Sequence, residues 1–299
     1  MNQYFLAAVI MGARSSFLIT LVTLLLYCGI DRTQEIDFPI LQGPYLGQEP
    51  PGKTPEIFAP GIVSVERFSE FVCMFTPGAR ECFFDWYGDD EYPRGAVLTT
   101  RVENGKWIEP EIASLFSGFG DVFLPTMSPD GKYWFFTSFT LPVPDGVEGQ
   151  IPMFYMEREE SGWSTPEYLA DAIHASATLD GTVYINSGRE IMTGHPFNRV
   201  VDLGQLFSFD IGHPVISPDG SHLIFDSNDL PPTGDCKLFV IFQNNGSWSD
   251  PVSLGEYIKQ HAFCAWITFD GDYIFFHSLD NRKGNIYWIS ADIIEDLKP

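Results

Sequence analysis

Ser128-Pro129-Asp130-Gly131-Lys132-Tyr133-Trp134-Phe135-Phe136-Thr137-Ser138 reads as a tight turn feeding a buried strand. Proline presets φ at the second turn position, aspartate tolerates the third, and glycine takes the left-handed position that a side chain resists. The aromatic run behind it suits a pleated, buried strand. The same pattern recurs as Ser217-Pro218-Asp219-Gly220 before Leu223-Ile224-Phe225-Asp226-Ser227, and as Thr268-Phe269-Asp270-Gly271 before Tyr273-Ile274-Phe275-Phe276-His277-Ser278. Two degenerate copies are Thr178-Leu179-Asp180-Gly181 before Val183-Tyr184-Ile185-Asn186-Ser187, and Thr76-Pro77-Gly78-Ala79 before Cys82-Phe83-Phe84-Asp85. Repetition at this period is the signature of a solenoid, propeller or array.

The turns begin at 76, 128, 178, 217 and 268, with spacings of 52, 50, 39 and 51. A four-stranded propeller blade occupies about 40–50 residues, so each period holds one blade. A second motif keeps step with the first: Trp107-Ile108-Glu109-Pro110, Trp163-Ser164-Thr165-Pro166 and Trp248-Ser249-Asp250-Pro251, each behind a short polar turn. These predict hairpins leading into outer strands, where a proline that cannot donate to a ladder is tolerated. No such strand follows the last turn. Thr54-Pro55-Glu56-Ile57 near the beginning matches Thr165-Pro166-Glu167 and supplies the missing piece. The expected fold is all-β: a single propeller of five blades, with six as the alternative. The N-terminal strand completes the last blade, and the closed ring hides its sheet edges.

These turns and aromatic strands resemble the WD40-like, or PD40, repeats of TolB-like β-propellers. The opening from Gly43-Pro44-Tyr45 and the ending Asn285-Ile286-Tyr287-Trp288-Ile289-Ser290 are similar to small bacterial PD40-domain proteins over roughly residues 43–299. The chain departs from the repeat at Pro77-Gly78-Ala79, at Leu179 and in a shortened third blade. The resemblance implies a propeller that binds proteins or peptides at the cell envelope.

The 299 residues suffice for one propeller, and 26 Phe, 12 Tyr and 7 Trp provide the packing that sheets need. The net charge is −23. Nucleic acid is an unsuitable partner, because phosphate binding needs clustered Lys and Arg. Anionic lipid surfaces are disfavoured for the same reason. Such charge serves solubility through self-repulsion, or attracts cations and basic partners.

Residues 17–27 form an apolar run behind Arg14, too short for a confident transmembrane helix and suited to a signal peptide. Met11 is an alternative start. Cys28 ends the run as in a bacterial lipobox, with Tyr27 departing from the small residue expected before it. The expected organisation is a signal peptide of lipoprotein type over 1–28, a tether over 29–52 whose last part packs on the propeller, and the propeller over 53–299. The protein is expected to be exported to the periplasm or anchored at the cell surface, touching membrane only through that N-terminal anchor, and to be monomeric.

Cys73, Cys82, Cys236 and Cys264 permit disulfides without setting their connectivity, and buried free thiols are the other reading. Two metal-binding candidates stand out. The loop with Asp85, Asp89, Asp90 and Glu91 gathers carboxylates that suit calcium but lacks EF-hand spacing. A solvated acidic loop is the competing view. Counting four residues back from each turn Ser or Thr reaches Val72, Leu124, His174, His213 and Cys264. Equivalent positions ring a propeller channel, so His174, His213 and Cys264, with His261 nearby, offer a zinc or copper site. Packing at a channel mouth is the alternative.

There is no Gly-x-Ser-x-Gly elbow, phosphate loop, dinucleotide fingerprint, His-Glu-x-x-His or Cys-x-x-Cys. No catalytic residue is assigned, and no cofactor beyond the calcium or zinc just named. The favoured function is a binding propeller for an envelope protein, peptide or glycan. The alternative is a carbohydrate-active enzyme using paired carboxylates in the channel.

Overall fold

A computed structural model describes residues 38–65, 69–86, 95–147, 149–187, 196–231, 237–280 and 283–299. The turn chemistry read from the sequence is present atom by atom. Ser128 Oγ donates to Asp130 Oδ1 at 2.6 Å, and Thr178, Ser217 and Thr268 do the same to Asp180, Asp219 and Asp270. Each Asp Oδ1 also accepts the N–H two residues on, from Lys132, Thr182, Ser221 and Asp272. Gly131 and its counterparts 181, 220 and 271 sit at φ between 70° and 81°. The first repeat lacks the aspartate, and Ala79 takes the left-handed position at φ 50°.

Each turn joins an inner strand to a second strand. The inner strands are Cys73–Phe75, Val122–Met127, the end of Glu167–Ala177, Gly212–Ile216 and Ala262–Ile267. The second strands are Glu81–Trp86, Tyr133–Ser138, Thr182–Ser187, His222–Asp226 and Tyr273–Asp280. Ala96–Glu103, Pro152–Glu159, Leu238–Asn244 and Lys283–Ser290 add an antiparallel third strand to four of the repeats. The predicted outer strands pair with these, and three of them are interrupted where Pro110, Pro166 and Pro251 offer no N–H. Among the described residues hydrogen bonding groups the strands into four sheets. The second and third repeats share one sheet, because Glu167–Ala177 is the outer strand of one repeat and then, past a bulge, the inner strand of the next.

The short third repeat differs from its neighbours. Its third strand, Arg199–Asp202, runs parallel to Thr182–Ser187. A parallel neighbour cannot be joined by a tight hairpin, which sets this repeat apart from the antiparallel pairing of the other four.

The sheet of the fifth repeat is completed from the N-terminus. Glu56 pairs with Trp288 and Ile57 with Tyr287. Phe58 then turns fully inward, with edge-on contacts to Phe75, Phe275 and Trp288 at 5.0–5.7 Å. Upstream, Tyr45 and Leu46 are also buried, and Tyr45 donates to Asp270 at 2.8 Å. The segment before the closing strand is therefore packed between the first and fifth repeats. A five-residue helix, Asp292–Asp296, ends the chain. Among the described residues no helix is long and apolar enough to cross a membrane.

Candidate functional site at the centre of the ring

Four of the five inner strands carry a bulge at one equivalent place, between Phe123 and Thr126, Ala172 and Ala175, Gly212 and Val215, and Phe263 and Trp266. A bulge re-aims the side chain it contains. Leu124, His213 and Cys264 sit in these bulges at φ 49°, 41° and 49°. The left-handed region is costly for residues with a Cβ, and here the surrounding ladders hold them in it. Leu124, His174, His213 and Cys264 from the bulged strands, with Val72 from the regular first repeat, line a single central cavity. Its volume is about 10 Å³, space for roughly one water.

The chemistry concentrates on one side. His213 Nδ1 and Asp226 Oδ1 are 2.8 Å apart, and the same oxygen accepts the backbone N–H of Cys264 at 3.1 Å. Asp226 closes the second strand of the fourth repeat, so it ties that repeat to the fifth. Its other oxygen lies 2.2 Å from where a Cβ on Gly212 would stand, so a side chain there would displace the carboxylate. Ligand atoms of His213, Asp226 and Cys264 all lie within 4.8 Å of one another. Cys264 is 6% exposed, and burial pushes its thiol well up, with the Asp226 and Asp85 charges adding to the effect.

His174 stands beside this group. Its Nδ1 lies 3.1 Å from the Pro214 carbonyl, which can only accept, so Nδ1 carries the proton. The His174 and His213 rings meet edge to face at 6.3 Å. Burial first, then the His213 charge, lowers His174 to about 4, and it is neutral at physiological pH. The donor group includes Asp226 and leaves out His174 and His261. His261 packs edge-on against Phe263 at 5.4 Å.

Asp85, the one described member of the acidic loop, faces inward. It is wholly buried, and its Oδ1 accepts N–H bonds from Phe71 and Val72 at 2.8 and 2.9 Å. It acts as an internal acceptor at the entry to the first inner strand. Asp89, Asp90 and Glu91 fall outside the described residues, as do Cys28 and Cys236. Cys73 and Cys82 are buried free thiols with sulfurs 3.5 Å apart, on diagonal positions of one hairpin face.

Asp226 was not among the residues singled out from the sequence, yet a signal for it exists. Four of the second strands carry Asp85, Asn186, Asp226 and His277 at one equivalent place, a polar residue just past an apolar run. Three of these reach the neighbouring repeat: Asn186 donates to the Ile211 carbonyl, Asp226 accepts from Cys264, and His277 Nδ1 meets the Glu70 carbonyl. A polar residue repeated at that point marks a stitch between repeats.

Larger hollows lie away from the centre. One of about 290 Å³ opens on the face made by the repeated turns, among Tyr45, Phe75, Pro77, Pro129, Trp266 and Phe269. Another, of about 380 Å³, runs between the first and second repeats over Phe83, Trp134 and Trp163. The cations of that second groove are engaged locally. Arg101 bridges Glu103 and Glu111, and Arg158 lies 4.4 Å over the Trp163 ring.

No family model matches the chain, and no curated protein matches it. Solved structures do. TolB from Acinetobacter baumannii is similar at 17% identity and a TM-score of 0.46, over 77% of this chain and 54% of its own. AofleA from Arthrobotrys oligospora is similar at 11% identity and a TM-score of 0.36, over 81% and 74%. An oligogalacturonate lyase in complex with manganese is similar at 14% identity and a TM-score of 0.26, over 74% and 48%. The chain thus spans about half the length of the TolB chain it resembles. These likenesses assign neither an activity nor a partner, and the β-propeller assignment stands on the repeats, the sheets and the shared central cavity.

Proposed function

We propose that the chain is an exported, PD40-type binding propeller that holds a basic protein or peptide on the face formed by its repeated turns. The observation that carries this is the contrast between the centre and that face. The central cavity takes about one water, far less than a sugar ring, whereas the turn face offers a hollow of about 290 Å³ walled by aromatic residues. The turn face is also acidic. Burial raises Asp130, Asp180 and Asp219, most at the first and last, yet the turn hydroxyls and N–H groups they accept from hold all three below the usual carboxylate range. Leu179 stands 63% exposed beside Asp180, its N–H on the Pro218 carbonyl of the next turn. An exposed apolar residue on an acidic face suits a partner with an apolar residue flanked by Lys or Arg.

Export follows from the leader read over residues 1–28, with lipidation at Cys28 as the anchoring step. The test is photo-crosslinking in the native host from a reactive residue placed at 179, compared with one at Glu160 on an outer hairpin. A discrete adduct from 179 only, weakened by Asp272→Lys, is expected. Equal labelling from both positions, or no adduct from 179, rules the turn-face reading out. Labelled palmitate incorporation lost in Cys28→Ala tests the anchor separately.

A further inference from the structure

The centre of the ring brings a nitrogen, an oxygen and a sulfur donor together from two neighbouring repeats. We propose that His213, Asp226 and Cys264 bind one divalent ion of the zinc class, with the fourth position turned to the small central cavity. This stands apart from the turn-face proposal, since the two sites share no residue. The ligand types choose the metal: thiolate with imidazole and one carboxylate suits zinc and its neighbours, whereas calcium and magnesium require shells of oxygen. The distances fit as well. The donors lie within 4.8 Å of one another, and a tetrahedral zinc holds its ligands about 3.5 Å apart. Closing that gap takes side-chain movement of about 1 Å.

The surroundings favour an ion over the other use of such a trio. Cysteine, histidine and aspartate in contact can also form a nucleophilic triad. That requires room for an acyl group, and the cavity admits about one water. One water is what a zinc with three protein ligands needs as its fourth. The backbone around the trio is fixed: Asp226 is held by the Cys264 N–H, and the absent side chain of Gly212 leaves space for its second oxygen. His174, its Nδ1–H committed to the Pro214 carbonyl, sets its ring edge to face against that of His213 at the border of the site. Leu124 shares the bulge conformation of His213 and Cys264 and carries an apolar side chain. The bulges therefore belong to the repeat, and the donors are particular to the fourth and fifth blades. On binding, the Cys264 thiol gives its proton to solvent as the sulfur–metal bond forms, and His213 binds as neutral imidazole.

The experiment is a titration of the tag-free full chain with Co²⁺, followed by competition with Zn²⁺. One equivalent of Co²⁺ is expected to produce a thiolate-to-cobalt charge-transfer band that Zn²⁺ abolishes. The band is expected to vanish in Cys264→Ser and stoichiometric binding to be lost in His213→Ala. Asp226→Asn, which keeps an acceptor for the Cys264 N–H, controls for folding: it should melt like the parent without metal, yet lose the rise in Tm that Zn²⁺ gives the parent. No band at one equivalent, a band that survives Cys264→Ser, or a Zn²⁺-induced Tm rise that survives Asp226→Asn would each overturn the proposal.

Discussion

Glu70 is wholly buried beside the first inner strand, and its carboxyl is pushed up to about 8. Desolvation is the main cause and Asp85 adds repulsion, while the Val65 N–H, bonded to its Oε1 at 3.0 Å, opposes both. An unfolded chain ionises the group near 4.5. The stability tied to the neutral carboxyl is complete below that value and is lost as pH rises through about 8. Glu70→Gln keeps the acceptor and stays neutral throughout. It is expected to raise stability by on the order of 3 kcal/mol at pH 8.5 and to change it little at pH 4, measured by urea unfolding. Equal stability of variant and parent at both pH values would mean that Glu70 is ionised in the fold. His174 and His277 act in the opposite direction. Burial lowers both to about 4, so the stability tied to their neutral rings is present above about 6.5 and lost as pH falls through about 4. His277 lies stacked on Phe71 at 4.6 Å, and Gly284 leaves the space its ring fills.

The closing strand shows how much a two-residue element can do when the residue after it is a core aromatic. Ile57, paired with Tyr287, is 37% exposed, whereas Phe58 is fully buried among Phe75, Phe275 and Trp288. Phe58→Ala is expected to cost about 3–5 kcal/mol, and Ile57→Ala less than about 1 kcal/mol, read from the urea midpoint of each. Similar small losses for both would mean that the ring does not depend on this closure. The motif match of Thr54-Pro55-Glu56 to Thr165-Pro166-Glu167 made the closing strand legible, because both lead into the outer strand of a repeat with the same residues. The parallel strand Arg199–Asp202 was not legible. A short β-branched segment reads alike in either direction, and only pairing with Thr182–Ser187 decides its sense.

Across the whole molecule a net charge of −23 is set against a densely aromatic interior. Self-repulsion at that charge opposes the compact state and is screened by salt. Melting in 10 mM and then about 500 mM NaCl is therefore expected to show a higher Tm in the stronger salt, where the Debye length is only a few ångströms. A Tm that falls with salt would mean that local ion pairs, such as Arg101 with Glu111, outweigh the global repulsion. The same screening should weaken capture of a basic partner. The amino-acid sequence alone determined the repeat, the turns, the ring-closing strand and the five positions at the centre. These rest on local turn chemistry and on equivalence between repeats, both of which are written along the chain. Only the tertiary structure decided that the central cavity closes to about the size of one water, that Asp226 joins His213 and Cys264, and that Asp85 turns inward. Those outcomes depend on bulges and on contacts between neighbouring blades, where residues far apart in sequence meet at distances that no local pattern encodes.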